Sequence, residues 1–303
     1  MNNTVDKPQL QAYAMLTFTT WCWGLNALFS KLAVGEIAPM QLVTFRWLGV
    51  VLLLLVFTRK YLRRDWPVLR QHLPYVFIMG AVGFTAFNAL FYVAGHSTSA
   101  INIGILQGAI PIFVLIGSFL IYRIRITRIQ AVGVSMTLLG VVIVASGGDL
   151  RELQGLAINQ GDLFMLIACF FYAGYSIGLS RRPRVSAMGL FTLMATVAWL
   201  VSLPLVAFET YQQGWQAPSL TGWTIVLLVT LLPSLIAQIF FIQGVSLIGP
   251  GRAGVFVNLV PVFASLMAVI FLRETFESYH ALSLMLVLGG IGLSELGKAR
   301  RTD

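Results

Sequence analysis

Trp23, Asn26 and Ser30 recur at i, i+3 and i+7, a spacing that sets an indole, a carboxamide and a hydroxyl on one face of a helix. Phe84, Asn88 and Tyr92 repeat the pattern at i, i+4 and i+8, Tyr172 and Tyr175 lie one turn apart beside Ser176, and Gln238 adds a further amide inside an apolar run. Such groups bind rather than react. Amides donate and accept hydrogen bonds without titrating, and rings cover flat apolar surface. For Trp23, Phe84, Tyr92, Tyr172 and Tyr175 two readings stand side by side, lining a cavity or packing a core. Catalysis lacks its usual residues: there is no GxxxxGK[ST] loop, no HExxH, and no paired carboxylates or histidine inside an apolar run, since His72, His96 and His280 lie in or beside the polar joints. Neither an enzyme nor a cofactor is expected. Cys22 and Cys169 both fall within apolar runs, which suits packing better than a metal site.

The elements that must carry these groups follow from composition. Of 303 residues, 58% are hydrophobic and 10% charged, against about 25% charged in an ordinary soluble domain. Apolar runs near the ~20 residues that cross a bilayer recur along the whole chain. The expected fold is an all-α membrane protein of ten transmembrane helices, at about 10–34, 39–57, 73–94, 98–121, 129–146, 161–180, 188–208, 221–243, 249–272 and 279–297. Spans 3 and 4 have the shortest joint and are the easiest to merge. Continuous apolarity favours helices over the alternating strands of a barrel. The first run is too long for a cleaved leader and is expected to remain.

The net charge of +9 does not point to nucleic acid, because the charges follow the membrane. With the N-terminus inside, sixteen basic residues fall in inner joints: Lys7, Arg59, Lys60, Arg63, Arg64, Arg70, Arg123, Arg125, Arg128, Arg181, Arg182, Arg184, Arg252, Lys298, Arg300 and Arg301. Three fall outside, Lys31, Arg151 and Arg273, together with Glu36, Asp149, Glu152, Asp162, Glu209, Glu274 and Glu277. Both termini are therefore expected in the cytoplasm, with the protein in the inner membrane. Arg46 alone sits well inside a span, where a structural role near the outer end, snorkelling or bonding helix-end carbonyls, is the favoured expectation. Trp47, Trp66, Trp215 and Trp223 are expected at lipid or at the interface.

A shift of 150 residues lays Phe91 on Phe241, Gly104 on Gly254, Pro111 on Pro261, Phe113 on Phe263, Arg123 on Arg273, Leu138 on Leu288 and Gly140 on Gly290. Asn88 then meets Gln238, one carboxamide from each half. Five spans per half, an odd number, make the 5+5 repeat inverted around a central cavity, with halves at 1–147 and 160–303. Such an architecture suits alternating access. Gly104, Gln107 and Pro111 in span 4, and Gly254, Asn258 and Pro261 in span 9, are either helix breaks that expose backbone to a solute or close packing through small residues. The glycine runs Gly133–Gly140 and Gly289–Gly297 raise the possibility of a homodimer.

Ten spans, the repeat, the Trp23, Gly24, Asn26 cluster, Pro261 and the sequence Phe271, Leu272, Arg273, Glu274 resemble the EamA branch of the drug/metabolite transporter superfamily. Within it the chain is most similar to bacterial exporters of aromatic amino acids. The resemblance implies a basket-like bundle whose cavity is enclosed by spans 1, 3, 4, 6, 8 and 9. It also implies a small-molecule substrate, with Asn26, Asn88, Gln107, Gln238 and Asn258 bonding the carboxylate and ammonium of a neutral or aromatic amino acid, and Trp23, Phe84, Tyr92, Tyr172 and Tyr175 holding its ring. One position departs: the acidic residue that the family carries after span 4 is Ile124. Two alternatives are export of lipophilic organic cations such as methyl viologen, and a non-transporting receptor or scaffold. The lack of a mid-span carboxylate argues for facilitated flux or exchange rather than proton coupling.

Overall fold

The computed structural model describes residues 7–123, 126–149 and 159–299, and every regular element among them is helical. The α-helices are α1 (Lys7–Leu32), α2 (Pro39–Leu69), α3 (Leu73–Gly80), α4 (Phe87–Ala94), α5 (Ala100–Leu106), α6 (Ala109–Tyr122) and α7 (Arg128–Ala145), then α8 (Gln160–Gly178), α9 (Ala187–Gln213), α10 (Leu220–Val229), α11 (Ala237–Ile248), α12 (Pro250–Val257), α13 (Val260–Met267) and α14 (Ser278–Ala299). Several join into longer rods. A π-turn over Ala81–Ala86 links α3 to α4, and another over Thr230–Ile236 links α10 to α11. Gln107 and Gly108 interrupt α5 and α6, and Asn258 and Leu259 interrupt α12 and α13.

Among the described residues, eight helical stretches are long and apolar enough to cross a membrane. One runs for 56 residues, Pro39–Ala94, about 84 Å at 1.5 Å per residue and far beyond a hydrocarbon core of about 30 Å. It cannot be one straight crossing. His72 leaves helical geometry (φ −117°, ψ 22°) and α4 packs back on α2, so the chain reverses after the Arg70–His72 3₁₀ turn. The expected merger of spans 3 and 4 is therefore displaced. Arg and Lys in the 58–72 joint are good helix formers and keep it helical, whereas Ser99 caps α5 through Asn102 N and ends the other joint cleanly. α1 falls outside the eight because Thr19, Thr20, Trp23 and Asn26 lower its apolarity; Thr19, Thr20 and Asn26 are buried in the protein, not set against lipid.

Most of the irregularities recur along the chain, the exception being a π-turn over Ala268–Leu272, where α6 in the first half stays α-helical to Tyr122. The two linking π-turns, the two helix breaks and the left-handed residues Arg123 (φ 53°) and Arg273 (φ 55°) each pair at an offset of about 150 residues. Arg123 and Arg273 are the only non-glycine residues with positive φ among those described.

Hydrogen bonds between joints define two ends. At the acidic end Glu209 receives the N–H groups of Met40 and Gln41, Glu274 receives those of Ala100 and Ile101, Ser219 donates to Glu36, and Asn159 donates to Ser97 O. At the basic end Asp65 receives both the N–H and hydroxyl of Ser186, and Tyr75 donates to Gly178 O. α5 packs on α13 at the acidic end, so closely that a Cβ on Gly104 would stand 2.4 Å from Ala264 Cβ. No comparable packing joins α6 to α12 at the basic end among the described residues, and a Cβ on Gly254 would meet nothing within 4 Å. The bundle is shut at one end and parted at the other.

α7 and α14 pack side by side, where a Cβ on Gly133 would come 2.4 Å from Gly290 O. The glycine runs assigned to a possible homodimer thus meet each other within one chain. Gly133 and Gly290 let the two backbones approach as side chains would not. Cys22 and Cys169 are buried free thiols. Ile124, Arg125, Arg151, Glu152, Arg300 and Arg301 lie outside the described residues.

Candidate functional site: a cavity centred on Arg46

A cavity of about 100 Å³ sits between α1, α2, the π-turn of α3–α4, the break of α5–α6, α8, the π-turn of α10–α11 and the break of α12–α13. Trp23, Asn26, Phe84, Asn88, Gln107, Tyr172, Gln238 and Asn258 of the expected binding residues line it, together with both prolines, Pro111 and Pro261, and Asn258 stands at the break itself. That makes eight of the ten, the exceptions being Tyr92 and Tyr175. Both stand behind the wall. Tyr92 is 1% exposed and hydrogen-bonded from the rear, while Tyr175 props Phe84 and Tyr172 at ring distances of 5.4 and 5.3 Å.

The helix irregularities build this site locally. Pro233 has no N–H to give Val229 O, so Ser234 Oγ donates there at 2.5 Å, and Pro233 O in turn accepts from Trp23 Nε1 at 3.2 Å. In the first half the corresponding turn leaves Phe84 O to accept from Asn88 Nδ2 at 2.6 Å. Gln107 and Asn258 occupy the two breaks directly. Gly104 and Gly254 do not form them: Gly104 packs on Ala264 inside α5, and Gly254 faces open space. Ser30 turns back to Ala27 O.

The expectation for Arg46 needs correction. Its side chain is buried, lines the cavity and bonds side-chain oxygens, not helix-end carbonyls or the interface. Nε donates to Ser234 Oγ at 2.5 Å, and Nη1 donates to Asn88 Oδ1 and Tyr92 Oη, each at 2.6 Å, with Asn26 Oδ1 further off at 3.4 Å. Tyr92 Oη passes its own proton to Asn26 at 2.9 Å. Asn26 and Asn88 therefore hold a guanidinium instead of standing open to a solute. Gln238 does not mirror Asn88: among the described residues no hydrogen bond engages the side chain of Gln238 or Asn258.

Trp47 is corrected as well. It is 3% exposed, lines the cavity and stacks on Phe84 at 4.7 Å with the planes 5° apart. Trp66, Trp215 and Trp223 are exposed, as an interfacial position requires. Phe87, Phe191 and Ser234 also line the cavity and were not singled out from the sequence; Phe191 alone had no helical-face or repeat signal that could have found it.

A second, wider cleft of about 710 Å³ opens at the acidic end. In it Asp162, 1% exposed, accepts from Thr98 Oγ1 at 2.5 Å and from Asn102 Nδ2 at 3.3 Å, and Asn102 Oδ1 faces His280 Nε2 at 3.3 Å. His96, in the joint before α5, has its pKa lowered below the ordinary imidazole value, first by burial and then by repulsion from Lys31.

The EamA-like transporter family matches the chain twice, over residues 10–146 and again over 159–295. The uncharacterized transporter YetK of Bacillus subtilis (strain 168) is 25% identical over 296 residues, covering 96% of this chain and 89% of that one. YyaM of the same organism is 27% identical, covering 86% and 85%, and the uncharacterized inner membrane transporter YedA of Escherichia coli (strain K12) is 26% identical, covering 91% and 88%. A protein of known crystal structure shares the fold with a TM-score of 0.64 at 18% identity, over 96% of this chain and 98% of the other. Two family-matched halves, apolar helices throughout and a cavity between them lead to one assignment: the chain belongs to the EamA-like transporter family, and is a multi-pass membrane transporter.

Proposed function

We propose that this transporter exports neutral amino acids, aromatic ones above all, across the bacterial inner membrane by alternating access. Ten crossings form two inverted repeats, 1–147 and 160–303, with both termini in the cytoplasm. Support for the repeat comes from the double family match and from π-turns, breaks and left-handed arginines recurring at one offset. Support for the orientation comes from the basic joints gathered at one end.

The observation that carries the reading is the cavity's position between helix pairs that touch at the acidic end and part at the basic end. Under this orientation the protein is open to the cytoplasm, where an exporter loads. Rings of Trp23, Trp47, Phe84, Phe87 and Tyr172 offer a flat apolar slot, and the free amides of Gln238 and Asn258 offer hydrogen bonds to an ammonium. At about 100 Å³ the cavity is smaller than the ~300–1,000 Å³ of ordinary ligand pockets. Loading a ring therefore parts the helices further.

Lipophilic cations fit the rings but meet a buried guanidinium, and like charges in a dry cavity repel strongly. Flux of labelled phenylalanine, tyrosine and tryptophan into proteoliposomes tests the proposal. Saturable flux of at least one supports it; none with any, from correctly folded protein, defeats it.

A further inference from the structure

Arg46 is a cation in hydrocarbon-level protein with no anion to balance it. Its side chain is 5% exposed, yet all four hydrogen bonds it donates end on neutral oxygens, those of Ser234, Asn88, Tyr92 and Asn26. No Asp or Glu lines the cavity, and the ion pair of Arg64 with Asp65 lies away from it at the basic end. A buried charge is ordinarily paired or neutralised because removing it from water is costly. A staple that only joined helices would use the whole guanidinium fork.

Here part of the fork is left over. Among the described residues no hydrogen bond ends on Nη2, and that atom is not among the sealed polar atoms without a partner, so it keeps contact with open space. The neighbouring Trp47 also lines the cavity, and its Nε1 is buried with no acceptor. The indole nitrogen is sealed from the cavity, whereas Nη2 faces it, and no carboxylate lines the cavity to meet that donor. Arg46 is meanwhile locked in place from two directions, by α1 and α4 of the first half and by Ser234 of the second, so an anion meets a preorganised donor at little further entropic cost.

We propose that Arg46 is the anion-binding group of this transporter, taking a carboxylate of the transported solute on Nη2. This rests on the transport reading above and names its substrate class: monocarboxylates, with the aromatic amino acids among them. A carboxylate balances the buried guanidinium and fills its vacant donor position on Nη2. Because Arg46 reaches α1, α4 and the second π-turn together, an anion placed there also touches both halves across the surface on which they would rock.

Competition against labelled phenylalanine on purified protein tests this without any variant. 3-Phenylpropionate, which keeps the carboxylate and lacks the ammonium, is expected to compete, while phenethylamine and phenylalanine amide, which lack the carboxylate, are expected to compete on the order of 10- to 100-fold less well. The reverse order overturns the proposal. Arg46→Gln is expected to weaken phenylalanine and 3-phenylpropionate by the same factor, with partial rescue in Arg46→Lys, which restores charge but not the fork. A folded Arg46→Gln that binds both as wild type does also overturns it. If wild type binds no aromatic amino acid, the substrate reading fails separately, and a panel of benzoate, lactate and pyruvate against their amides decides the anion site: carboxylate-selective, Arg46-dependent binding sustains it, and no selectivity ends it.

Discussion

Gly104→Ala places one methyl group at the contact that shuts the acidic end. Its Cβ would lie 2.4 Å from Ala264 Cβ, against 3.4–4 Å for ordinary contact, so α5 and α13 must separate by roughly 1 to 1.6 Å. Overpacking of this size costs about 1–3 kcal/mol. The gain in helix propensity from Gly to Ala is common to both conformations and cancels. The penalty falls on the shut acidic end alone, and shifts its opening equilibrium by about 5- to 150-fold. A cysteine replacing Gln107 in the cavity, labelled by a membrane-impermeant thiol reagent from the acidic side, reads that shift as a labelling rate. Cys22 and Cys169 are fully buried and give little background. Gly254→Ala is the internal control, since its Cβ would meet nothing within 4 Å in this conformation. If the halves exchange roles, that control acquires a penalty only when the basic end shuts, where its counterpart contact is Val114. A folded Gly104→Ala protein with an unchanged labelling rate would refute the reasoning.

Glu274→Gln removes the charge that holds the N–H groups of Ala100 and Ile101, weakening the same closure by about 1 kcal/mol, read as faster labelling at position 107. Asp162→Ala strands Thr98 Oγ1 and Asn102 Nδ2 in a buried site and lowers stability by about 1–3 kcal/mol, measured as a drop in melting temperature. Gly133→Leu separates α7 from α14 and lowers the melting temperature, with no change in oligomeric state by light scattering, because the contact is made within one chain. His96 carries a lowered pKa, so the unfolded chain binds its proton first as pH falls. Its contribution is present above about pH 6.5 and is lost below it, so wild type should lose more melting temperature than His96→Gln between pH 7.5 and 5.5.

Much of the architecture was legible because lipid imposes it. Apolar run lengths gave the helices, and Gly and Pro landmarks marked the spans that break. Which residue of each landmark set carries the break was not legible: of Gly104, Gln107 and Pro111, and of Gly254, Asn258 and Pro261, the irregular positions are Gln107 and Asn258, where the following prolines withhold an N–H. Helical spacing found the cavity-facing amides but not what they face. Asn26, Asn88 and Tyr92 share a target, Arg46, that lies 20, 42 and 46 residues away along the chain. Periodicity cannot see such a convergence, and Arg46 itself was read as a span-end charge. Trp47 was misplaced for a related reason, since a tryptophan at lipid and one stacked on Phe84 have the same sequence surroundings. Ile124 fits the observed asymmetry: Glu274 latches the acidic end, and the position 150 residues earlier has no carboxylate to latch the basic end.

Paired distance measurements test alternating access most directly. Spin labels at positions 97 and 275 report the acidic end, and labels at 121 and 255 report the basic end, all four being exposed positions. With saturating phenylalanine the two distance distributions are expected to move in opposite senses in reconstituted protein, the acidic pair gaining a longer component and the basic pair a shorter one. Distances that stay fixed, or that lengthen together, would contradict a transporter whose two ends open by turns around Arg46.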